Sequence, residues 1–264
     1  MIKKLVNPKY ESISSFIHDI INPDYFENQG ELLFAGRNIV KRFHIEGLDV
    51  VVKRYGHMTF FNRLMYSTFR KSKAIRAYLH ASQLSSLEIS TPKEIAAIEI
   101  YTKGILQDSY FISAYSTYHS MAFLRDKGFD GESMYPLINA MVEWIVELHD
   151  KGIFHQDLNI SNILYKKLPN GKFVFQVIDN NRMKFSKKPS MDMRLKNLCR
   201  LSVDMELHNY ILKQYAQKVQ QDYKKTQIKG SLYKLILEYR QIGKQRIKEI
   251  FRKTNTFQFL TSTP

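Results

Sequence analysis

The feature that most restricts the fold is a change of period along the chain. Between positions 31 and 116 apolar residues recur largely at every second position, in four runs: IVKRFHI, LDVVVKRY, residues 94–102 and residues 108–116. Alternate side chains of a strand point to opposite faces, so each run offers one face for burial. Glu46-Gly47 joins the first two runs as a hairpin turn, and Gly104 splits the last two. Between the pairs lies SKAIRAYLHASQLSSL, where Ile75, Tyr78, Leu79 and Ser82 fall at helical spacing behind Ser72 as a cap. From position 132 the period lengthens. Leu137, Met141, Ile145 and Leu148 form one helical stripe, and Gly152 follows as its C-terminal stop. NILYKK and KFVFQVID then read as two short strands across Pro169-Asn170-Gly171. Residues 191–251 read as helical and basic, with Leu195, Leu198 and Leu201 marking one helix and Tyr233, Ile236 and Leu237 a later one. The first 25 residues show no clear pattern beyond a short helix at 12–21.

This order predicts an α+β chain of two lobes. Residues 1–118 make a sheet-rich N-terminal lobe and residues 119–264 a mainly helical C-terminal lobe, with a linker at 118–131. The 264 residues suffice for a sizeable core, and 44% hydrophobic content excludes a disordered chain. No apolar run approaches the 18 residues a membrane-spanning helix needs. MIKKLVNPKYESISS lacks the apolar stretch and cleavage site of a secretory signal, which leads us to expect a cytoplasmic address. A lone cysteine, Cys199, excludes an internal disulfide framework and a cysteine-rich zinc site. His149 and His155 lack the spaced partners of a metal site and are expected to be structural.

The formal charge of +15 calls for an anionic partner. No acid occurs between Asp49 and Glu88, a span that holds Lys53, Arg54, Arg63, Arg70, Lys71, Lys73 and Arg76. Residues 184–200 carry six basic residues against Asp192 alone. Phe60, Phe61, Leu64, Met65, Tyr66 and Phe69, interleaved with Arg63 and Arg70, suit either a peripheral membrane surface or ordinary packing. Nucleic acid is the weaker partner, since no RNA- or DNA-binding module is recognisable.

Four polar positions stand at strand ends in otherwise apolar surroundings. Lys53 ends VVVK, Asp157 follows the long amphipathic helix, Asn162 opens the next strand and Asp179 closes KFVFQVID. Asp and Asn also serve as plain turn and cap residues. As a set, however, two carboxylates and an amide oxygen suit Mg²⁺ bridging phosphates, and a strand lysine supplies a point charge for those phosphates. The other carboxylate can orient a hydroxyl and accept its proton.

His155-Gln156-Asp157-Leu158-Asn159-Ile160-Ser161-Asn162 resembles the catalytic loop of the protein-kinase-like superfamily, with Ile178-Asp179 at the matching distance. AGRNIVKRF, VVVKRY and IDNNRMKF resemble, more narrowly, the bacterial lipopolysaccharide-core kinases that phosphorylate Kdo or heptose. The resemblance runs from about residue 32 to residue 200. It implies a two-lobed kinase-like fold with a shortened helical lobe, and transfer of the ATP γ-phosphoryl group to a sugar hydroxyl. It makes Asp157 the catalytic base, Asn162 and Asp179 the Mg²⁺ ligands, and Lys53 the phosphate contact. Gly36 and Asn38 would lie in the nucleotide-covering hairpin, and His155 would support the loop. The implied acceptor is an anionic glycolipid or phosphorylated sugar, met at the cytoplasmic face of the inner membrane.

Two features depart from the superfamily pattern. No Gly-x-Gly-x-x-Gly occurs, only Gly30 and Gly36 near the expected hairpin. The helix that should supply a glutamate to the strand lysine contains none, and Glu99 is the acid nominated instead. A lysine left without an acid would favour a catalytically reduced kinase fold acting as a binding or scaffold protein. Salt-dependent binding of RNA or DNA would favour a basic nucleic-acid-binding protein.

Overall fold

The computed structural model describes residues 1–260 except His57, Met58, Phe69, Lys187, Lys188 and Val203, with side chains omitted at 60–62, 68 and 247–260. Two compact units emerge. One comprises residues 1–122, 153–157 and 161–186, and the other residues 123–152, 158–160 and 187–264.

The first unit is built on an antiparallel sheet of β1 (Ile2–Val6), β2 (Glu31–Ala35), β3 (Ile39–Ile45), β4 (Leu48–Arg54), β5 (Glu94–Thr102) and β6 (Ile105–Ala114), in the order β1-β5-β6-β4-β3-β2. The β3–β4 turn places Glu46 at φ 50 and Gly47 at φ 79, the doubly left-handed turn that matches strand twist, and Lys103-Gly104 repeats it between β5 and β6. Helices α1 (Ser14–Asp19) and α2 (Pro23–Asn28) precede β2, while α3 (Phe60–Thr68) and α4 (Lys73–Ser86) lie between β4 and β5. Phe16, Ile17 and Phe26 pack with Phe43, Val50, Val52, Ala96, Ile98 and Ile112 in one core. Each fully buried aliphatic or aromatic side chain there contributes about 1.5–3 kcal/mol.

The first 25 residues are more ordered than their pattern suggests. Ile2–Val6 is the edge strand beside β5, and its exposed lysines, which discourage edge-to-edge pairing, are what hide it from a hydrophobic-period reading. The face of α4 also differs from expectation. Ala74, Ala77, Tyr78, Ala81 and Leu84 are buried, whereas Leu79 is exposed. Small alanines let the helix approach the sheet closely, so volume and not hydropathy selects the buried side. Among the buried polar groups, Lys41 donates from Nζ to the carbonyls of Phe26 (2.7 Å), Glu27 (2.7 Å) and Gln29 (3.0 Å). It thereby satisfies carbonyls at the end of α2 that have no intrahelical donor.

Two smaller sheets complete this unit. β7 (His119–Ser120), β9 (Ile163–Lys167) and β10 (Phe173–Val177) form one, and β8 (Ile153–His155) pairs with β11 (Met183–Phe185) in the other. Gly171 at φ 81 makes the β9–β10 turn.

The second unit is helical: α5 (Phe123–Lys127), α6 (Tyr135–Asp150), α7 (Met191–Leu198), α8 (Met205–Lys218) and α9 (Tyr223–Leu260). The α6 stripe Leu137, Met141, Ile145 and Leu148 is buried, and Gly152 at φ 73 stops the helix in the left-handed region. Leu195, Leu198, Leu201, Leu207, Ile211 and Leu212 are also buried. His149 bridges this core, its Nδ1 accepting from the Tyr215 hydroxyl (2.8 Å) and its Nε2–H donating to Asn197 Oδ1 (3.1 Å). Burial, opposed by the Asn197 bond, holds its pKa down at about 4, so the ring is neutral and structural. Cys199 is buried, and burial lifts its thiol to about 11, so it behaves as a small apolar residue. Among the described residues no helix is long and apolar enough to cross a membrane.

Candidate active site

All the nominated site residues fall in the first unit. Strand period decides where Lys53 points. Val50 and Val52 of β4 face the core with α1 and α2, so Lys53 and Tyr55 share the opposite face, where Ala74 and Tyr78 of α4 pack on the Tyr55 ring. Lys53 Nζ lies 2.8 Å from Asp179 Oδ1, with the two side chains 18% and 28% exposed. The lysine's acid is therefore Asp179. Glu99, the acid nominated from sequence, instead accepts a hydrogen bond from the Tyr101 hydroxyl (2.9 Å). The spacing missed this because 126 residues separate the partners, and only the return of the chain joins them.

Asp179 closes β10 with left-handed dihedrals (φ 60, ψ 45), a conformation that Asp tolerates better than most residues. Oδ1 is also held by Asn181 Nδ2. Burial acts to raise its pKa, but the Lys53 charge and hydrogen bond, with Arg182, outweigh it and hold the carboxyl below the usual range. The group is therefore ionised at neutral pH.

His155 couples the two acidic loops. Its Nδ1 accepts from the Asp157 N–H (3.0 Å), so Nε2 carries the proton and donates to the Ile178 carbonyl (3.0 Å), one residue before Asp179. Burial lowers its pKa and keeps the ring neutral. Asn162 donates from Nδ2 to the Asp157 carbonyl (2.9 Å), and the Ile178 N–H donates to the Asn162 carbonyl (3.0 Å). Asp157 Oδ2 lies 3.4 Å from Arg182 Nη1. Asp157, Asn162 and Asp179 are thus tied together through His155, the Asn162 side-chain amide and one backbone bond. Gly36 and Asn38 form the turn between β2 and β3, where the Gly36 N–H donates to the Asn38 carbonyl (3.1 Å).

Helix α4 holds this site without a glutamate. Arg76 Nη1 donates to the Asn181 carbonyl (3.0 Å), and the His80 Nδ1–H donates to the Asn180 carbonyl (2.6 Å). Asn180 Nδ2 in turn donates to Thr91 Oγ1, and Thr91 donates to the Val177 carbonyl (both 2.8 Å). The loop after Asp179 is thus gripped by cationic and neutral donors on its carbonyls. Sequence reasoning left out Arg76, His80 and Thr91. The acid-free stretch between Asp49 and Glu88 was the visible trace of Arg76 and His80.

Among the described residues no group of three or more His, Cys, Asp or Glu could hold a metal. The Asp179 carboxylate and the Asn162 amide oxygen are nevertheless hard oxygen donors of the kind Mg²⁺ takes when phosphates fill the rest of its shell. Of the aromatic and basic stretch after β4, the Phe60, Phe61 and Phe69 side chains lie outside the described residues. Leu64 there is exposed, and Arg63 donates to Gln107 Oε1 (2.8 Å).

Among solved structures the chain is similar to one described as WaaP in complex with acyl carrier protein, with a TM-score of 0.58 at 13% identity over 90% of this chain and 97% of that one. At that identity the likeness is one of fold, the mixed α/β kinase fold with a sheet-rich N-terminal part and a helical C-terminal part. No curated protein matches the chain in sequence. The model of the lipopolysaccharide kinase (Kdo/WaaP) family matches residues 34–229, a span that holds every nominated site residue. That is well over half of the chain, which therefore belongs to the lipopolysaccharide kinase (Kdo/WaaP) family.

Proposed function

We propose that this kinase transfers the γ-phosphoryl group of ATP to a sugar hydroxyl, Kdo or heptose, of the lipopolysaccharide core, with Mg²⁺ as cofactor. The observation that carries the reading is the joining of Lys53, Asp157, Asn162 and Asp179 by the Lys53–Asp179 pair and the His155 bridge.

Asp157 is the base that orients the acceptor hydroxyl and takes its proton, with its backbone braced by His155 and Asn162. A lysine ammonium has three donor hydrogens, and Lys53 spends one on Asp179, so two remain for phosphate oxygens. Asp179 and Asn162 would hold Mg²⁺, which when bound neutralises charge on the phosphates. Gly36 and Asn38 would bring backbone close to the nucleotide. Catalysis of this kind comes from positioning and charge, with no covalent intermediate. The acceptor would be an anionic glycolipid met from the cytoplasmic side of the inner membrane. A Lys53 without an acid would have favoured a catalytically reduced fold, and the Asp179 carboxylate 2.8 Å from it supports the active reading instead.

The test is titration calorimetry with MgATP on the native protein and on Asp179→Ala, followed by phosphate incorporation into lipopolysaccharide-core acceptors by native protein and Asp157→Asn. We expect Mg²⁺-dependent binding that Asp179→Ala abolishes, and incorporation reduced at least about a hundredfold by Asp157→Asn. Folded native protein that binds no nucleotide would overturn the reading.

A further inference from the structure

Of the positive charges that act around Asp179, some meet no carboxylate among the described residues. Lys53 is paired with Asp179 and Arg182 with Asp157. Lys73 and Arg37 have neither a hydrogen-bond nor an ion-pair partner among the described residues, and Arg76 meets a carbonyl and not a carboxylate. Lys73 is nevertheless fixed in place. It opens α4, the next residue Ala74 is buried against Tyr55, and its Nζ lies 5.8 Å from the centre of the Tyr55 ring. Lys53 Nζ lies 5.4 Å from the centre of the same ring, so one aromatic side chain seats both ammonium groups.

This arrangement works against the stability of the empty protein. The first turn of α4 contains no acid and begins with a lysine, at the end of the helix where the macrodipole disfavours a cation. Burial lowers the Lys73 pKa, and the charges of Arg37, Arg182 and Arg76 lower it further. Arg37 lies in the turn between Gly36 and Asn38, and its charge acts on Lys73. Cations gathered at a cost, with no carboxylate within ion-pair distance of Lys73 or Arg37 among the described residues, imply an anion that arrives from outside.

We propose that Lys73, with Arg37, forms a phosphate-binding site that adds to the Lys53 contact and receives the polyphosphate of the nucleotide. The site replaces by direct charge what a helix glutamate achieves elsewhere by orienting the strand lysine. The identity of the ligand as a nucleotide rests on the function proposed above. The existence of the anion site rests on the charges alone. A phosphate group on the sugar acceptor has the same chemistry, and titrating MgATP without acceptor separates the two sources.

The experiment compares native protein, Lys73→Met and Lys73→Arg by calorimetry with MgATP and by thermal unfolding with and without inorganic tripolyphosphate. Lys73→Met should bind MgATP roughly ten- to a hundredfold more weakly, the effect of losing one charge-assisted contact, and Lys73→Arg should restore most of the affinity. Without ligand, Lys73→Met should unfold at a temperature equal to or above that of the native protein, because a repelled cation is gone. It should also lose the stabilisation that tripolyphosphate confers. A purely structural lysine would instead lower the unfolding temperature, and that result overturns the proposal. Native protein that binds MgATP no better than Lys73→Met does also overturns it, and leaves the nucleotide reading standing. Lys73-dependent binding of tripolyphosphate without any MgATP binding upholds the anion site and overturns the nucleotide as its occupant.

Discussion

Replacing Lys53 and Asp179 singly and together tests whether Asp179 serves as the lysine's structural partner. Unit charges 2.8 Å apart attract by about 6 kcal/mol at an effective dielectric of ~20. Desolvation of two side chains that are only 18% and 28% exposed returns most of that, leaving a net coupling of about 2 kcal/mol. Lys53→Met strands a carboxylate that retains Asn181 as a donor, at a cost of about 3 kcal/mol. Asp179→Asn leaves the largely buried Lys53 ammonium without its carboxylate, also at about 3 kcal/mol. The double variant should then cost about 4 kcal/mol, below the sum of the singles by the coupling. Hydrogen exchange on β4 and β10 reads the opening free energy of the first unit without requiring the second to unfold. A coupling below about 0.5 kcal/mol, the range of solvated surface pairs, would refute the reasoning, because the two groups would then not be held together in solution.

Further expectations concern the scaffold. His149 is neutral in the fold with a pKa of about 4, below its unfolded value, so the unfolded chain binds the extra proton and stability falls with pH; between pH 7.5 and 5 this removes about 2 kcal/mol. The fluorescence of Trp144 on α6 follows the denaturant unfolding, and His149→Gln should reduce the pH slope, to which His208, also held at about 4 by burial, adds its own share; an unchanged slope would assign the titration elsewhere. Lys41→Met keeps the aliphatic stem but strips three carbonyls of their donor, and should cost about 2–4 kcal/mol in denaturant unfolding. A Cβ at Gly230 would lie 2.6 Å from both methyl carbons of buried Leu212, so Gly230→Ala should destabilise by about 1–3 kcal/mol despite alanine's better helix propensity. With Leu212→Ala in place, the same change should turn favourable, and a cost that persists would place the strain outside this contact.

The strands and the site pattern were legible because they depend on local rules. Alternation marked β3 to β6, Glu46-Gly47 and Gly104 marked their turns, and the α6 stripe with Gly152 marked the helix that leads into His155. The spacing from Asp157 to Asn162, followed by Asp179 at a strand end, was sufficient to suggest the chemistry and the family. Edge strand β1 escaped because an edge buries little and carries lysines. The buried face of α4 escaped because alanines are chosen by the space available against the sheet, which no period records. The partner of Lys53 was beyond sequence reasoning for a related reason. Ion pairs between residues 53 and 179 depend on which strands the folded chain brings side by side, and the same is true of Arg76 and His80 on the carbonyls after Asp179. Local periodicity marked most of the elements, and motif spacing marked the candidate site residues. Tertiary structure alone decided which charges meet, because Coulomb energy and desolvation depend on distances through space and not along the chain.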